Sequence, residues 1–392
     1  MSVKLMPCLF VVVGCCVMTV SKAYSDTTVL IPGSTGEENE QINDALTRPP
    51  AWHSNADVDE LLVRLGKLLK RHPDNRAARI MHLRTLAGLG RIAEATVDAD
   101  YLQGKWPVDY RSNEALATLY QITGMRDIEL AAYEAMAAAK PDNDPLGQAI
   151  REPEAMLHAR VQELQGDTSG ARKTWKNLIV ASAPGNLKVA YGYAEFLVRL
   201  GAYDAAADEY RGIMLMLQKL PNQMGFVSLI AEYRLRLASV LWASGKLADA
   251  SSHADAALSA MEKWNDFLGN KSPLLPEAAL MGYSLDALLN RTGTTRPAVG
   301  RLFAFAGPTA PSSQTEDLDH VAIAGLTGTT ETAAAMDQVE ARLKDAPFLD
   351  SGLWAETYLG LASGSYSART IEHLPKGTIQ RAIFDRYGRG TR

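Results

Sequence analysis

The sequence predicts an all-α chain assembled from repeated helix pairs, and three observations carry that prediction. From Val58 onward apolar residues recur at helical spacing, and the alternating β-branched runs that mark strands are scarce. Pro73, Pro107 and Pro141 are evenly spaced, with a period of 34. Gly90 and Gly124 keep the same period, each preceding its proline by 17. Two independent markers on one beat identify an internal repeat.

Taken in order, the chain of 392 residues opens on a segment unlike the rest. Lys4 precedes a run from Leu5 to Val20 without charge, and Ser21-Lys22-Ala23-Tyr24-Ser25 closes it with small residues at alternate positions. A short basic start, an apolar stretch and a small-residue cleavage site make residues 1–25 a secretory signal peptide, cut after Ser25 or after Ala23. Sixteen residues interrupted by Pro7 and Gly14 fall short of the roughly 20 that a membrane-spanning helix needs. Val12-Val13-Gly14-Cys15 resembles the lipobox of bacterial lipoproteins, which adds a second expectation, a lipid anchor at Cys15. All three cysteines (Cys8, Cys15, Cys16) lie in this segment, so the exported chain has none. Disulfides, thiolate nucleophiles and cysteine-held metals are thereby excluded from it. The 40 basic side chains less Lys4 and Lys22, set against 45 acidic ones, leave a net charge of −7. A mildly acidic chain without basic runs argues against nucleic acid as a partner.

Residues 26–57 are polar and rich in turn formers, with Pro32-Gly33 and Pro49-Pro50, and read as a flexible lead-in. Residues 58–264 carry the repeats. The tetrapeptides around the prolines recur as His72-Pro73-Asp74-Asn75, Trp106-Pro107-Val108-Asp109 and Lys140-Pro141-Asp142-Asn143, with later echoes at Pro184 and Pro221. Each beat has a physical cause. A glycine lets the first helix of a pair end in a left-handed turn, and a proline stops the second. The amphipathic helix between them buries its apolar face on the next pair.

Position by position these units resemble the tetratricopeptide-repeat (TPR) superfamily. That family places a bulky residue, a small residue and an aromatic or leucine in the first helix, a closing glycine, then small and aromatic residues in the second. Here Leu116, Ala117 and Tyr120 precede Gly124, Tyr133, Met136 and Pro141, and Ala159, Gly166, Ala171, Trp175 and Leu178 follow. The next unit reads Tyr193, Ala194, Leu197, Gly201, Ala206, Tyr210 and Ile213, and the one after it Leu237, Ala238, Leu241, Gly245, Ala250, Ala254 and Ala257. Glu129 departs from the pattern at a usual alanine position, as do His82 and His158 where leucine is commoner. The marker glycines at 90, 124, 166, 201 and 245 show that some loops lengthen. The match covers roughly half of the chain and implies a right-handed α-solenoid.

Residues 265–392 read as degenerate helical repeats and a C-terminal cap that covers the last apolar face. Asn265–Pro276 is expected as a loop and Glu277–Leu289 as a first-type helix. Thr309–Thr315 reads as a linker, followed by helices over 317–325, 330–344, 350–362 and 376–387.

The sequence carries no catalytic or cofactor motif. No two histidines stand at single-segment zinc spacing, and neither a phosphate loop nor a nucleophile elbow occurs. Gly88-Leu89-Gly90-Arg91-Ile92-Ala93 mimics a dinucleotide fingerprint, but a helix precedes it where that fingerprint needs a strand. His82 and His158 are expected on the core side of first helices, hydrogen-bonded between neighbours. No cofactor or metal and no enzymatic activity are expected.

The resemblance places the first helices on a concave groove, and assigns binding positions there. They include Arg84, Arg111, Glu114, Arg160, Tyr191, Glu195 and Trp242, alongside Glu232, Leu235 and Ser239. Arginines and large aromatics are enriched at binding hot spots, although Arg and Glu on such a face also pair with one another in water. The family's basic clamp for peptide carboxylates is not matched, because Ile80, Arg84, Glu114 and Thr118 occupy its positions. The expected partner is thus a protein or peptide, and the expected place the periplasm or, through Cys15, the outer membrane. Two roles fit. One is a scaffold for assembly or secretion at the bacterial cell envelope. The other is an accessory factor of an envelope enzyme system such as cytochrome c maturation, which the segment Asp57–Asn75 resembles. An enzyme with its site in residues 265–392 is the third alternative.

Overall fold

At every expected junction between the first and second helix of a pair the backbone turns left-handed at glycine. Gly90, Gly124, Gly166, Gly201 and Gly245 have φ between 70° and 93°, a region open to glycine and costly for residues with a Cβ. Just past each turn an N–H reaches back across it, as Arg91 donates to Leu86 O at 2.9 Å and Ala202 to Leu197 O at 2.9 Å. Those bonds satisfy carbonyls that the helix end leaves open.

The prolines mark the complementary junction. After Pro73 and Pro107 the chain makes one tight turn, with Asn75 N–H donating to His72 O at 3.0 Å and Asp109 N–H to Trp106 O at 3.2 Å. Where these turns are described, the residue two after the proline then caps the next helix. Asn75 Oδ1 accepts from Ala78 N at 3.0 Å, Asp109 Oδ2 accepts from Ser112 N at 2.8 Å, and Asn186 Oδ1 accepts from Val189 N at 3.3 Å. Such caps contribute about 1 kcal/mol each. The beat extends to a side-chain bond back across the turn. Arg79 Nη2 donates to Pro73 O and, one full period on, Asn113 Nδ2 donates to Pro107 O, both at 2.9 Å.

The computed structural model describes residues 55–139, 154–182, 186–219, 227–268, 274–291, 318–328, 330–363 and 374–387. Among them are 16 helices and no strand. They are α1 (Asn55–Arg71), α2 (Arg76–Gly88), α3 (Ile92–Lys105), α4 (Tyr110–Thr123), α5 (Arg126–Ala138), α6 (Glu154–Leu164), α7 (Thr168–Ala181) and α8 (Leu187–Arg199). The rest are α9 (Tyr203–Gln218), α10 (Val227–Ser244), α11 (Leu247–Leu268), α12 (Leu274–Arg291), α13 (Leu318–Thr327), α14 (Thr332–Leu343), α15 (Asp350–Ser363) and α16 (Ile379–Tyr387). The expected signal segment, nearly all of the lead-in, Pro141, Pro184, Pro221 and the linker at 309–315 lie outside the described residues.

The chain divides into two compact units, Met1–Gln121 with Met125–Val189, and Ile122–Gly124 with Ala190–Arg392. In the first, α2 packs on α1 and α3, and α6 on α5 and α7. In the second, α10 packs on α9, α11, α12 and α16, while α13, α14 and α15 form a mutually packed trio that joins α12. The small repeat positions Ala171, Ala194, Ala206, Ala238, Ala250 and Ala254 are all 0 % exposed, so helices meet where a larger side chain would hold them apart.

Past residue 264 the repeat persists more clearly than the sequence period suggests. α11 continues to Leu268 and α12 begins at Leu274, so the expected loop shrinks from both ends. Gly328 turns at φ 76°. Beyond it Ala346-Pro347-Phe348-Leu349 repeats the proline turn, with Leu349 N–H donating to Ala346 O at 3.0 Å. α13 and α14 are therefore a further helix pair built on the same two markers. Their approach is close. A Cβ on Gly325 would stand 2.8 Å from both Ala335 Cβ and Leu359 Cδ2.

Candidate functional site

In the first unit the helix surfaces are joined by ion pairs, and these take up most of the predicted binding side chains. Arg84 on α2 donates to Glu114 on α4 at 2.6 Å, a solvent-facing pair between successive first helices. Pairs this exposed contribute at most about 1 kcal/mol. Arg111 lies half-buried beside them on α4. Arg160 on α6 is drawn inward. Its guanidinium donates to Glu129 on α5 at 2.6 Å and to Glu163 at 2.7 Å, and it stands 5.7 Å from the centre of the Tyr133 ring. Burial works against its charge, and Glu163, Tyr133 and Glu129 outweigh that, so its proton is held more tightly than usual. Glu129, which breaks the small-residue pattern, is 3 % exposed and finds in Arg160 the counter-charge that a buried carboxylate needs.

A second buried network ties α2 to α3. Asp98 is 3 % exposed; its Oδ1 accepts from Arg79 Nη1 at 2.6 Å and its Oδ2 lies 2.6 Å from His82 Nδ1. The Arg79 guanidinium covers the Tyr101 ring at 3.8 Å. His82 thus faces a neighbouring helix as expected, whereas His158 is exposed on α6, contrary to the core position predicted for it.

In the second unit the predicted residues separate into an open and a closed group. Tyr191 on α8 packs edge-on against Tyr210 and Tyr233, with ring centres 6.3 and 5.6 Å away. Glu195, one turn along, accepts a hydrogen bond from the Tyr210 hydroxyl. Both remain half-exposed. Trp242 does not. It is 0 % exposed, stacked on Trp354 and Tyr358 of α15 at 6.2 and 6.5 Å, and the Tyr387 hydroxyl of α16 donates to its carbonyl at 3.5 Å. Leu235 and Ser239 are buried with it, at 2 % and 5 %. The groove position predicted for these three residues is corrected accordingly. Helices from the C-terminal region cover that face of α10.

Elsewhere on α10, Glu232 and, one turn on, Arg236 are half-buried. Arg236 Nη1 lies 3.4 Å from Asp350 Oδ2 at the start of α15, whose other oxygen accepts from Gln380 Nε2 at 2.9 Å. Charged and phenolic groups from several helices face the guanidinium, yet 29 % of its side chain is reachable by solvent. Burial alone favours loss of its proton; Tyr191, Asp350, Glu195 and Glu277 more than reverse this, and the charge is kept. Glu232 shows the opposite balance. Burial raises its pKa, Arg236 offsets part of that, and Glu195 adds to it.

Among the described residues no three carboxylate, histidine or cysteine side chains converge to hold a metal ion, and no helix is long and apolar enough to cross a membrane. Gly88 closes α2 and Gly90 forms the turn after it, with no strand ahead of the glycines. Arg236 and Asp350 went unrecognised in the sequence. The i, i+4 spacing of Glu232 and Arg236 was legible, but only the fold brings α15 against them. No family model and no curated protein matches the chain.

Proposed function

We propose that this chain is an exported, right-handed α-solenoid of TPR-like helix pairs that binds another protein, serving an assembly or secretion machine at the bacterial cell envelope. The observation that carries this reading is the recurrence of one helix-pair design, with a positive-φ glycine inside each pair and fully buried alanines between helices. A fold that repeats one supersecondary unit presents extended surface for a macromolecular partner. In the second unit, first-type helices α8 and α10 keep Tyr191, Glu195, Glu232 and Arg236 at that surface, the mixture of aromatic and charged groups that protein interfaces favour.

The test is affinity capture from envelope extracts, followed by reconstitution from purified components. A stoichiometric complex supports the scaffold, and haem-attachment proteins in the eluate transfer the support to the accessory role. Turnover in an activity screen without any partner would overturn both. Small-angle scattering checks the architecture. An elongated profile is expected, and a compact sphere would rule the solenoid out.

A further inference from the structure

From the second unit we infer that the face of α10 and α15 under α16 is a helix-binding groove, with α16 as its resident occupant. The partner enters with an amphipathic helix of its own that repeats the anchors of α16 and displaces it. The inference rests on the protein-binding reading above and adds the form of the bound segment.

α16 packs on both α10 and α15. Five helices separate it from α10 along the chain, and a helix that only covered its predecessor α15 would have no cause to reach there. Four of its residues form the seam. Gln380 is 2 % exposed, Ile383 and Phe384 are 0 % exposed, and the Tyr387 hydroxyl donates to Trp242 O at 3.5 Å. Their spacing, i, i+3, i+4 and i+7, is that of an amphipathic helix laid in a groove. The bonds also give its direction. Gln380 donates to Asp350, the ion-pair partner of Arg236. Seven residues on, Tyr387 reaches Trp242, itself six residues beyond Arg236. At 1.5 Å per residue both steps are about 10 Å, so α16 runs alongside α10 in the same direction. A Cβ on Gly245 would collide with the Arg386 guanidinium, which shows how closely the turn after α10 receives the end of α16.

The surface that α10 and α15 share is built from the stacked rings of Trp242, Trp354 and Tyr358, and large aromatics are concentrated at binding hot spots. The resident is exchangeable. With nine residues α16 is shorter than a helix that persists by itself in water, so it keeps its shape only while docked. Its bond to the Trp242 carbonyl is a long one. A separate helix with the same anchors makes the same contacts, and this defines the partner's segment: a polar residue at i, an aliphatic one at i+3, phenylalanine at i+4 and tyrosine at i+7.

Fluorescence anisotropy on the full chain tests this with a labelled, amidated peptide of residues 374–387. Tethering gives α16 an effective concentration that a free peptide does not match, so the unaltered chain should bind the peptide weakly. Phe384→Ala in the chain should loosen the resident and tighten peptide binding about tenfold, because a larger share of the groove is then open. The peptide carrying Phe384→Ala should bind neither chain. Damage to the fold does not produce tighter, sequence-dependent binding. Circular dichroism confirms folding, and if the Phe384→Ala chain fails to fold, Gln380→Ala, which removes the bond to Asp350, should act in the same direction. Failure of the peptide to bind a folded variant overturns the inference, as does amide exchange in α16 no faster than in α10. A dimer that Phe384→Ala converts to monomers would make a second copy the occupant and overturn it too. A partner captured from envelope extracts should bind the Phe384→Ala chain more tightly and be displaced by the peptide. Equal affinity for both chains removes the inference and leaves protein binding standing. Absence of any partner removes both.

Discussion

Replacing Asp98 with alanine tests how the first unit holds its second and third helices together. The carboxylate is 3 % exposed and both of its oxygens are engaged, one by Arg79 and one by His82, each at 2.6 Å. Without it, Arg79, itself 8 % exposed, keeps only the Pro73 carbonyl and the face of Tyr101. Its Nε already lacks a partner among the described residues. Removing one member of a buried pair costs about 3–5 kcal/mol, because the remaining charge stays enclosed. By contrast, Glu94→Ala at the surface pair with Arg91 should cost about 1 kcal/mol or less. Hydrogen exchange read by mass spectrometry on peptides from α2 and α3 measures the difference. At about 1.4 kcal/mol per tenfold, Asp98→Ala should speed their exchange by at least two orders of magnitude. The double variant Arg79→Leu/Asp98→Leu should recover most of the protection, since a packed apolar pair replaces a buried ion pair at little cost. Unchanged exchange in Asp98→Ala, or a double variant as labile as the single, would refute the reasoning.

Two further predictions concern the second unit. Ala194 on α8 is 0 % exposed, so Ala194→Leu should overpack that contact by about 1–3 kcal/mol, and an unaltered melting temperature would contradict the close approach of its helices. His253 on α11 has a pKa lowered by burial and then by Arg234 and Arg211, with Asp249 opposing them. The unfolded chain therefore takes up the extra proton first, and stability should be lost as pH falls through the ordinary value of 6.5. His253→Leu should flatten that dependence across the titration of a free imidazole, and urea midpoints that move in parallel in the two chains would count against it.

The sequence announced the turns because their causes are local. A left-handed turn needs glycine and a helix stop suits proline, so Gly90 and Gly124 could be placed by spacing, and Gly166, Gly201 and Gly245 by the small and aromatic residues around them. The helix pair around Gly328 and Pro347 was harder to see because its glycine and proline stand slightly farther apart than those of the first repeats. Caps at Asn75 and Asp109 were equally local, and the repeated tetrapeptides already contained them. The candidate site was less legible. Which face of α10 stays open depends on α15 and α16, which lie far along the chain, and no period within α10 encodes their arrival. Glu129 read as an irregularity because its explanation, Arg160, belongs to the next repeat.

The tie between Glu129 and Arg160 has a consequence for how the chain assembles. Repeated helix pairs resemble one another closely enough that a pair could dock on the wrong neighbour during folding. A pair that met α5 without presenting an arginine at the position of Arg160 would leave the Glu129 charge buried without its counter-charge. That penalty acts as an address on one junction. It fixes which unit follows which, and a chain whose pairs were cut out and spliced in a different order would lose this instruction even if every pair still folded.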